Sequence, residues 1–565
     1  MKAWLRLAAL LTLAVSLSAT PASADELSAQ APVAMVRFVG NTVADLMWYP
    51  YTGAGFQHYL VKVSGRADVP VAGQTTDFYR VEGLKVGGTY GFQVCQVLSS
   101  GTECGSVQSA TMGQVQGYIR RNMTWPSGTY TLVGSVHLNE GADLTVESGC
   151  LVKSSDSSVV RYLSGRADSS DQGGYIAVKG PATFENIEIA SGTLGLSMTL
   201  ATMKGGGVSA GRGAGVVILE GNTFDNASIT VTDPVILDAD ENNLTGATMT
   251  VRAEVAAQIS IEGGLFAKPA GVPLQALRVE SNHTQLDVSI TDNDFLGSGL
   301  SIYGTSADSV AIGENRFTGI AEPVAVSLSL QQCTGIQLSR NTMTGTLDAD
   351  YGVQIYGMGL PGACPVALRD NIISLPDYFS QAVQIATKAP VELTGNTLLS
   401  SQDIRVLPGS NVAAHGNCLW DDIPNLRPIG VSLDSDDVTS VVDAEGNWWG
   451  DASGPRYEGD HPDGNGADIS AQPGRVAYRN WLTVDNCRVD LPRVQTVTLD
   501  LPASPPPADG STTVPITALV RDQKGIPMGG AAVAFSVQPT VGGFSQAIAT
   551  TGADGRATVQ YTVPR

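Results

Sequence analysis

Three kinds of side chain in this sequence have types and spacings suited to chemistry. Asp348, Asp350 and Asp377 fall in loops of neighbouring repeats, where converging carboxylates could act as general acid and base or hold calcium beside a basic residue. Solvated loop carboxylates are the commoner meaning of such a pattern. Asp460, Asp463, Asn465 and Asp468 offer oxygens at close spacing for a structural calcium, though not in the order of an EF-hand loop. Tyr303, Gln354, Tyr356 and Gln384 fall on one strand face of neighbouring repeats, as a mixed aromatic and amide strip suited to stacking on sugars and hydrogen-bonding them. The five histidines, His58, His137, His283, His415 and His461, are scattered one per region, so neither a zinc set nor a histidine-based triad arises.

What positions these groups is a repeat. Between Val217 and Trp449 an eight-residue pattern occurs ten times, from VILEGNTF (217–224) through VAIGENRF (310–317) to VDAEGNWW (442–449). It reads aliphatic, spacer, Ile/Leu/Ala, two spacers, Asn or Gly, spacer, large apolar. Nine intervals spanning 225 residues carry the Asn position from Asn222 to Asn447, a mean period of 25. A period of this size marks a solenoid, propeller or array. Each period also carries a second short alternation, such as LSI (300–302), VQI (353–355) and IRV (404–406). Both segments are short, β-branched and closed by Gly, Asn or Asp, which suits strands and not helices. The expectation is an all-β fold centred on a parallel β-helix of roughly fourteen coils. Asn222, Asn242, Asn293, Asn315, Asn341, Asn371, Asn396, Asn417 and Asn447 are expected at the corners, adopting the left-handed conformation and bonding to one another up the stack.

Stacking also places cysteines. Cys333 and Cys364 precede successive motif copies by three and two residues, so adjacent coils bring them within disulfide range. Cys418 with Cys487 is a weaker pairing, and Cys150 is then left over.

The chain opens with MKAWLRLAALLTLAVSLSATPASA, a basic start, an apolar run and Ala22-Ser23-Ala24, which reads as a secretory signal peptide over 1–24. No later stretch approaches 18 consecutive apolar residues, so no membrane insertion is expected. Without Lys2 and Arg6 the chain keeps 31 basic and 54 acidic residues, a net charge of −23. Nucleic acid and anionic membrane are thereby disfavoured as partners.

Residues 25–117 read as a β-sandwich resembling a fibronectin type III domain. The resemblance rests on Trp48 in ADLMWYP, Tyr59 to Val63 (YLVKV), and Leu84 followed six residues later by Tyr90 in LKVGGTYGFQV, the family's tyrosine-corner spacing. In that arrangement Cys95 and Cys104 occupy the last two strands and would form a hairpin disulfide. From Tyr118 the segment MTWPSGTYTLVGSVHLNEGADLTVESGCLVKSS resembles the opening coils of secreted right-handed β-helix proteins, with Trp125 and Tyr130 near the capping end. The last motif copy runs into GNWWGDASGP (446–455), and then HPDGNGADIS (461–470) and YRNWL (478–482). This combination looks like the end of β-helix regions in large bacterial surface and exported proteins. Trp448, Trp449 and Trp481 would cover the apolar rungs that a solenoid end exposes.

After the Pro-rich break LPASPPPADG, VPITALVRDQKGIPMGGAAVAFSV (514–537) and ATTGADGRATVQYTV (549–563) resemble the bacterial Ig-like repeat of invasin and intimin-type adhesins. This second sandwich, 490–565, lacks one or two closing strands of that family. Val533, Phe535, Val559 and Tyr561 are therefore expected to be partly uncovered beside an edge open to pairing with another chain.

Two enzyme classes use β-helices. A pectate-lyase-like site wants about three carboxylates on adjacent coils to hold calcium, with an Arg or Lys as base. A polygalacturonase-like site wants two or three aspartates converging on one strand face. Projecting the second alternation outward gives Gly299/Ser301/Tyr303, Ala325/Ser327/Ser329, Gly352/Gln354/Tyr356, Ala382/Gln384/Ala386 and Asp403/Arg405/Leu407, with no carboxylate cluster. The expectation is a non-catalytic exported protein of the cell surface or matrix, with the solenoid over 118–489, whose partner is a glycan or a host surface. A lyase or hydrolase acting on acidic polysaccharide is the alternative. No cofactor is expected beyond the possible structural calcium at Asp460, Asp463 and Asp468.

Overall fold

A computed structural model describes residues 31–565 apart from 140, 166–173, 192–193, 212–214, 268–275, 321–323, 346–349, 358–363, 376, 378, 421–426, 435–438, 488–493, 502–505, 523–526, 528–530, 538–541, 547 and 552–554. The expected leader over 1–24 and Asp348 lie outside the described residues. Among the described residues every element is a strand. The chain divides into two compact units, 1–115 and 116–565.

The first unit is a sandwich of two antiparallel sheets. One joins Met35–Val39, Ala44–Met47 and Phe78–Val81. The other joins Val69–Val71, Phe56–Val63 and Thr89–Leu98, the last pairing with Gly101–Cys104 and Gln108–Thr111. Its core is built on Trp48 and Tyr59, both buried, with ring centroids 5.2 Å apart. Leu84 is buried, and the Tyr90 hydroxyl accepts the Lys85 backbone N–H at 3.2 Å, a bond that pins the turn to the strand following it. Cys95 and Cys104 face each other across the hairpin and are bonded.

The second unit contains a parallel β-solenoid. Each regular coil has a first strand, the corner bearing the motif Asn, a short second strand and a third strand; one coil runs Ser309–Gly313, Arg316–Ile320, Val324–Gln332. First strands stack into a 15-stranded parallel sheet from Met123–Trp125 to Val476–Ala477, against roughly fourteen coils anticipated. The motif's first aliphatic residue stays in register throughout, for example Val288 with Val310, Ile336, Val366 and Val391, and each is buried. The large apolar residue stacks likewise: Phe266, Phe295 and Phe317 lie with centroids 4.8 and 4.5 Å apart and nearly parallel planes. These separations match the spacing of neighbouring strands, so the backbone pairing itself sets the aromatic stack.

At the corner, the Asn side chains form a ladder. Each Oδ1 accepts both the backbone N–H and an Nδ2–H of the Asn one coil earlier; for Asn371, Asn341 donates at 3.0 and 2.9 Å. The Nδ2 of Asn371 in turn donates to Asn396 Oδ1 and to the Leu338 carbonyl, both at 2.9 Å. The same pattern links Asn293, Asn315, Asn341, Asn371, Asn396, Asn417 and Asn447 without a break. All seven are buried, so the pattern satisfies polar atoms that would otherwise be costly. Asn222 and Asn242 form a separate pair, because the next copy carries Gly264, which has only its backbone N–H to give Asn293 (2.9 Å).

The expectation of a left-handed Asn is wrong by one residue. The positive φ angles fall on the preceding position: Gly221, Glu241, Gly263, Asp292, Glu314, Arg340, Asp370, Gly395, Gly416 and Gly446, at 50–69°. The corner turns there, which leaves the Asn backbone free to aim its amide inward along the stack.

Cys333–Cys364 and Cys418–Cys487 are bonded, with Cα atoms 4.4 and 5.0 Å apart, and Cys150 is free and buried. At the C-terminal end Trp449 is fully buried and Trp448 is half-buried, its carbonyl accepting the Leu419 N–H at 2.9 Å. Gly450 and Gly454 both have positive φ, and a Cβ on them would lie 2.1 Å from the Trp420 ring and 2.5 Å from the Trp481 ring. This close approach is why GNWWGDASGP places glycines there.

The C-terminal module, taken by itself, has a four-stranded antiparallel sheet ordered Val494–Asp500, Thr513–Asp522, Arg556–Thr562, Gly543–Phe544, and a two-stranded sheet of Ala532–Ala534 with Ile548–Thr550. Its core comprises Ala518, Phe535, Ala549, Ala557 and Val559. Phe535 and Val559 are thus buried, contrary to expectation, whereas Val533 and Tyr561 are half-buried. The uncovered apolar residues are instead Val497, Leu499 and Leu501, 53–59% exposed, along the edge of the sheet. The second sheet is only two strands wide, and these residues of the first sheet remain in solvent.

Candidate functional site

The third strands from Leu277–Asn282 to Ile429–Leu433 align a polar column in which Arg278, Gln354, Gln384 and Arg405 are half-buried and Ser301, Ser327 and Ser432 are buried between them. Backbone register aligns Arg278, Ser301, Ser327, Gln354, Gln384, Arg405 and Ser432, one per coil. A flanking column runs Arg252, Glu280, Tyr303, Ser329. Strand pairing at about 4.8 Å per coil makes this a polar strip about 29 Å long.

The four residues anticipated for sugar contact all lie on it, in different states. Gln354 donates to Gln384 at 2.7 Å, and Gln384 to Gln381 at 3.2 Å, an amide chain along the strip. Tyr356 is 40% exposed, and its hydroxyl meets Ser327 Oγ at 3.5 Å. Tyr303 is more committed: Arg278 sits 5.5 Å from its ring centroid and donates to its hydroxyl at 3.3 Å, while the hydroxyl reaches Glu280 at 3.4 Å. Tyr356 is therefore the more exposed ring, and Tyr303 is held among charged neighbours. Two ion pairs complete the face: Arg252 with Glu280 at 3.2 Å, and Arg405 with Asp434.

The projection from sequence placed Gly299, Ala325, Gly352, Ala382 and Asp403 on this face, and the structure moves them off it. Ala325, Ala382 and Asp403 are buried, and a Cβ on Gly352 would lie 2.4 Å from Ile373. They form a column of tightly packed corners, where the Asp403 carboxylate accepts the Ser400 N–H and Oγ–H at 3.1 and 3.2 Å. Arg252, Arg278 and Glu280 were missed because the outward projection began at Gly299, beyond their coils.

Of the carboxylate candidates, Asp348 lies outside the described residues, and Asp350 and Asp377 meet adjacent residues through their carbonyls, which accept the Gln381 and Ser380 N–H groups at 2.7 and 3.3 Å. The anticipated calcium set is divided. Asp468 is gripped by Arg456 at 2.8 and 2.7 Å; Asp460 accepts from Tyr478 at 2.7 Å and from Arg479 at 3.3 Å; Asp463 is exposed. Arginines and a tyrosine fill the role that the sequence reading gave to a cation. Burial, and the Asp460 carboxylate that accepts its proton, push the Tyr478 phenol up to about 12. Among the described residues no group of three His, Cys, Asp or Glu side chains is placed to hold a metal.

A second concavity, about 460 Å³, lies on the first-strand face between Gln337, Ala367, Arg369, Glu392 and Ala413. Arg369 and Glu392 pair across it at 3.2 Å, and it has no aromatic wall.

The fold thus defines an all-β protein organised on a parallel β-solenoid, with three disulfides of the kind that persist outside reducing compartments. Residues 496–564 match the family of bacterial Ig-like domains (group 1). Among solved structures the chain is similar to one titled "Structure of Yersinia enterocolitica Family 28 Exopolygalacturonase", at 11% identity over 73% of this chain and 99% of that chain, with a TM-score of 0.21, too low to bear on function. No curated protein matches the chain. Among the described residues no helix is long and apolar enough to cross a membrane.

Proposed function

We propose that this is an exported, non-catalytic protein of the cell surface or extracellular matrix that binds an extended glycan along the third-strand face of its solenoid. The observation that carries this reading is the polar column of the third strands, in which the Gln354–Gln384 amides adjoin the exposed ring of Tyr356. A long shallow strip fits a polymer lying across several coils better than an enclosed small molecule. The leader-like residues 1–24 and the disulfides support export, and the Ig-like match supports a surface role. The first unit fits a fibronectin type III module: its three-stranded and larger sheets, the buried Trp48 and the Tyr90 bond all accord with that family.

Affinity electrophoresis against soluble plant and microbial polysaccharides tests this reading. At least one polymer should retard the protein, and Tyr356→Ala or Gln384→Ala should weaken that retardation about tenfold, the scale of losing one well-packed contact. Product analysis of the same mixtures should find no new reducing or unsaturated ends. Product release abolished by Asp350→Ala or Asp377→Ala would replace the binding reading with the lyase or hydrolase one.

A further inference from the structure

We infer that Arg278 is the anion-recognising residue of this strip, so that the glycan it takes is a uronic-acid polymer whose carboxylate meets the Arg278 guanidinium above Tyr303. The inference rests on the glycan-binding reading and adds the charge class of the polymer.

Three other arginines show what a structurally satisfied guanidinium looks like in this chain. Arg80 holds Asp45 at 2.7 and 2.9 Å, Arg316 holds Asp294 at 2.7 and 2.6 Å, and Arg456 holds Asp468 at 2.8 and 2.7 Å. Each is a two-pronged contact with a carboxylate, the geometry that planar guanidinium and carboxylate groups prefer. Arg278 is half-buried yet makes one hydrogen bond, to the Tyr303 hydroxyl at 3.3 Å, and pairs with no carboxylate among the described residues. Its nearest acid on the strip, Glu280, is already held by Arg252 at 3.2 Å and met by the Tyr303 hydroxyl at 3.4 Å. Among the described residues one of its five N–H donors is engaged, which leaves the guanidinium able to take a partner from outside. The contact with the Tyr303 ring, 5.5 Å from its centroid, limits the motion of the side chain, so less freedom is lost when a ligand binds.

Charge balance makes the position informative. The whole chain carries a net charge of −21, which repels an acidic polymer unless a cation is available locally. At the other end of the strip Arg405 is neutralised by Asp434, and Arg252 by Glu280, so among the described residues Arg278 is the strip's uncompensated positive group. It lies three coils from Tyr356, about 14 Å along the stack, so one extended chain can touch both.

The test uses the full chain with three probes: polygalacturonate, the same polymer methyl-esterified, and dextran. Wild type should bind polygalacturonate about tenfold more tightly than its ester, a difference of about 1.4 kcal/mol. Arg278→Gln should remove that preference while leaving binding to the ester intact, and Arg278→Lys, which keeps the charge but not the fork, should restore it only in part. Equal binding of acid and ester by wild type, with Tyr356→Ala weakening both, would overturn the anion inference and leave the glycan reading standing. An unchanged acid preference in Arg278→Gln would also overturn it. Failure of wild type to bind any of the probes would count against both.

Discussion

Two stretches of the same solenoid carry the same motif and differ in one amide. From Asn293 to Asn447 seven side chains bond in an unbroken column, whereas Asn222 and Asn242 stand as a pair cut off at Gly264. In the long column every interior amide both gives to the next coil and receives from the previous one. Such chains of amides polarise one another, and in a buried site each bond also spares the cost of an unpaired group. The motif's Asn is thus worth more inside a long column than beside a gap, although the local sequence around it is nearly the same.

The largest effect should come from breaking the long column. Asn371→Ala takes the partner from the Asn341 backbone N–H, from one of the two Nδ2–H groups of Asn341 (the other keeps the Ile312 carbonyl) and from the Leu338 carbonyl, and should cost about 3 to 4 kcal/mol in urea unfolding. Asn222→Ala removes the end of the short pair and should cost about 2 kcal/mol. Equal losses at the two sites would remove the cooperative part of the comparison. Gly264→Asn should join the two ladders and stabilise by about 1 kcal/mol. A Cβ there would lie 3.1 Å from Asn293 Oδ1, but Gly264 already holds the backbone bond that every ladder Asn makes, and its φ is not positive. A drop in the unfolding midpoint would mean that the gap is sterically required. The smallest effect should be Glu241→Gly, which relieves a left-handed glutamate (φ 50°) for a gain of about 0.5 kcal/mol.

The solenoid's end is sensitive to pH where its column is not. The Tyr478 phenol has a folded pKa near 12, raised from 10.0 by burial and by Asp460. A raised value means that its stabilising contribution is complete below pH 10 and disappears as pH rises towards about 12. Stability measured across that window should fall in wild type and fall less in Tyr478→Phe. A separate contrast sets the C-terminal module against the solenoid. With Val497, Leu499 and Leu501 exposed at its edge, that module should be the first segment trimmed in limited proteolysis.

Much of this was legible because a repeat samples one environment many times. The aliphatic register, the Asn column and the Cys333–Cys364 bond all follow from the 25-residue spacing. The left-handed corner was misassigned to the Asn, although five of the ten residues preceding it are glycine and two are aspartate, a signal that was present. Asp460 and Asp468 looked like calcium ligands because the arginines that pair with them, Arg479 and Arg456, lie 19 and 12 residues away, beyond the reach of a local motif. Arg278 and Glu280 escaped because the outward projection began at Gly299, one coil beyond them.

The proposed binding surface is the third-strand face, and not the concavity beside Gln337, Arg369 and Glu392. Hydrogen–deuterium exchange with and without an oligogalacturonate tests it most directly. Protection confined to peptides covering Leu277–Asn282, Leu300–Ser306, Tyr351–Tyr356 and Gln381–Ala386 is the predicted result; protection confined to Gly335–Ser339, Val366–Arg369 and Pro390–Thr394 would contradict it.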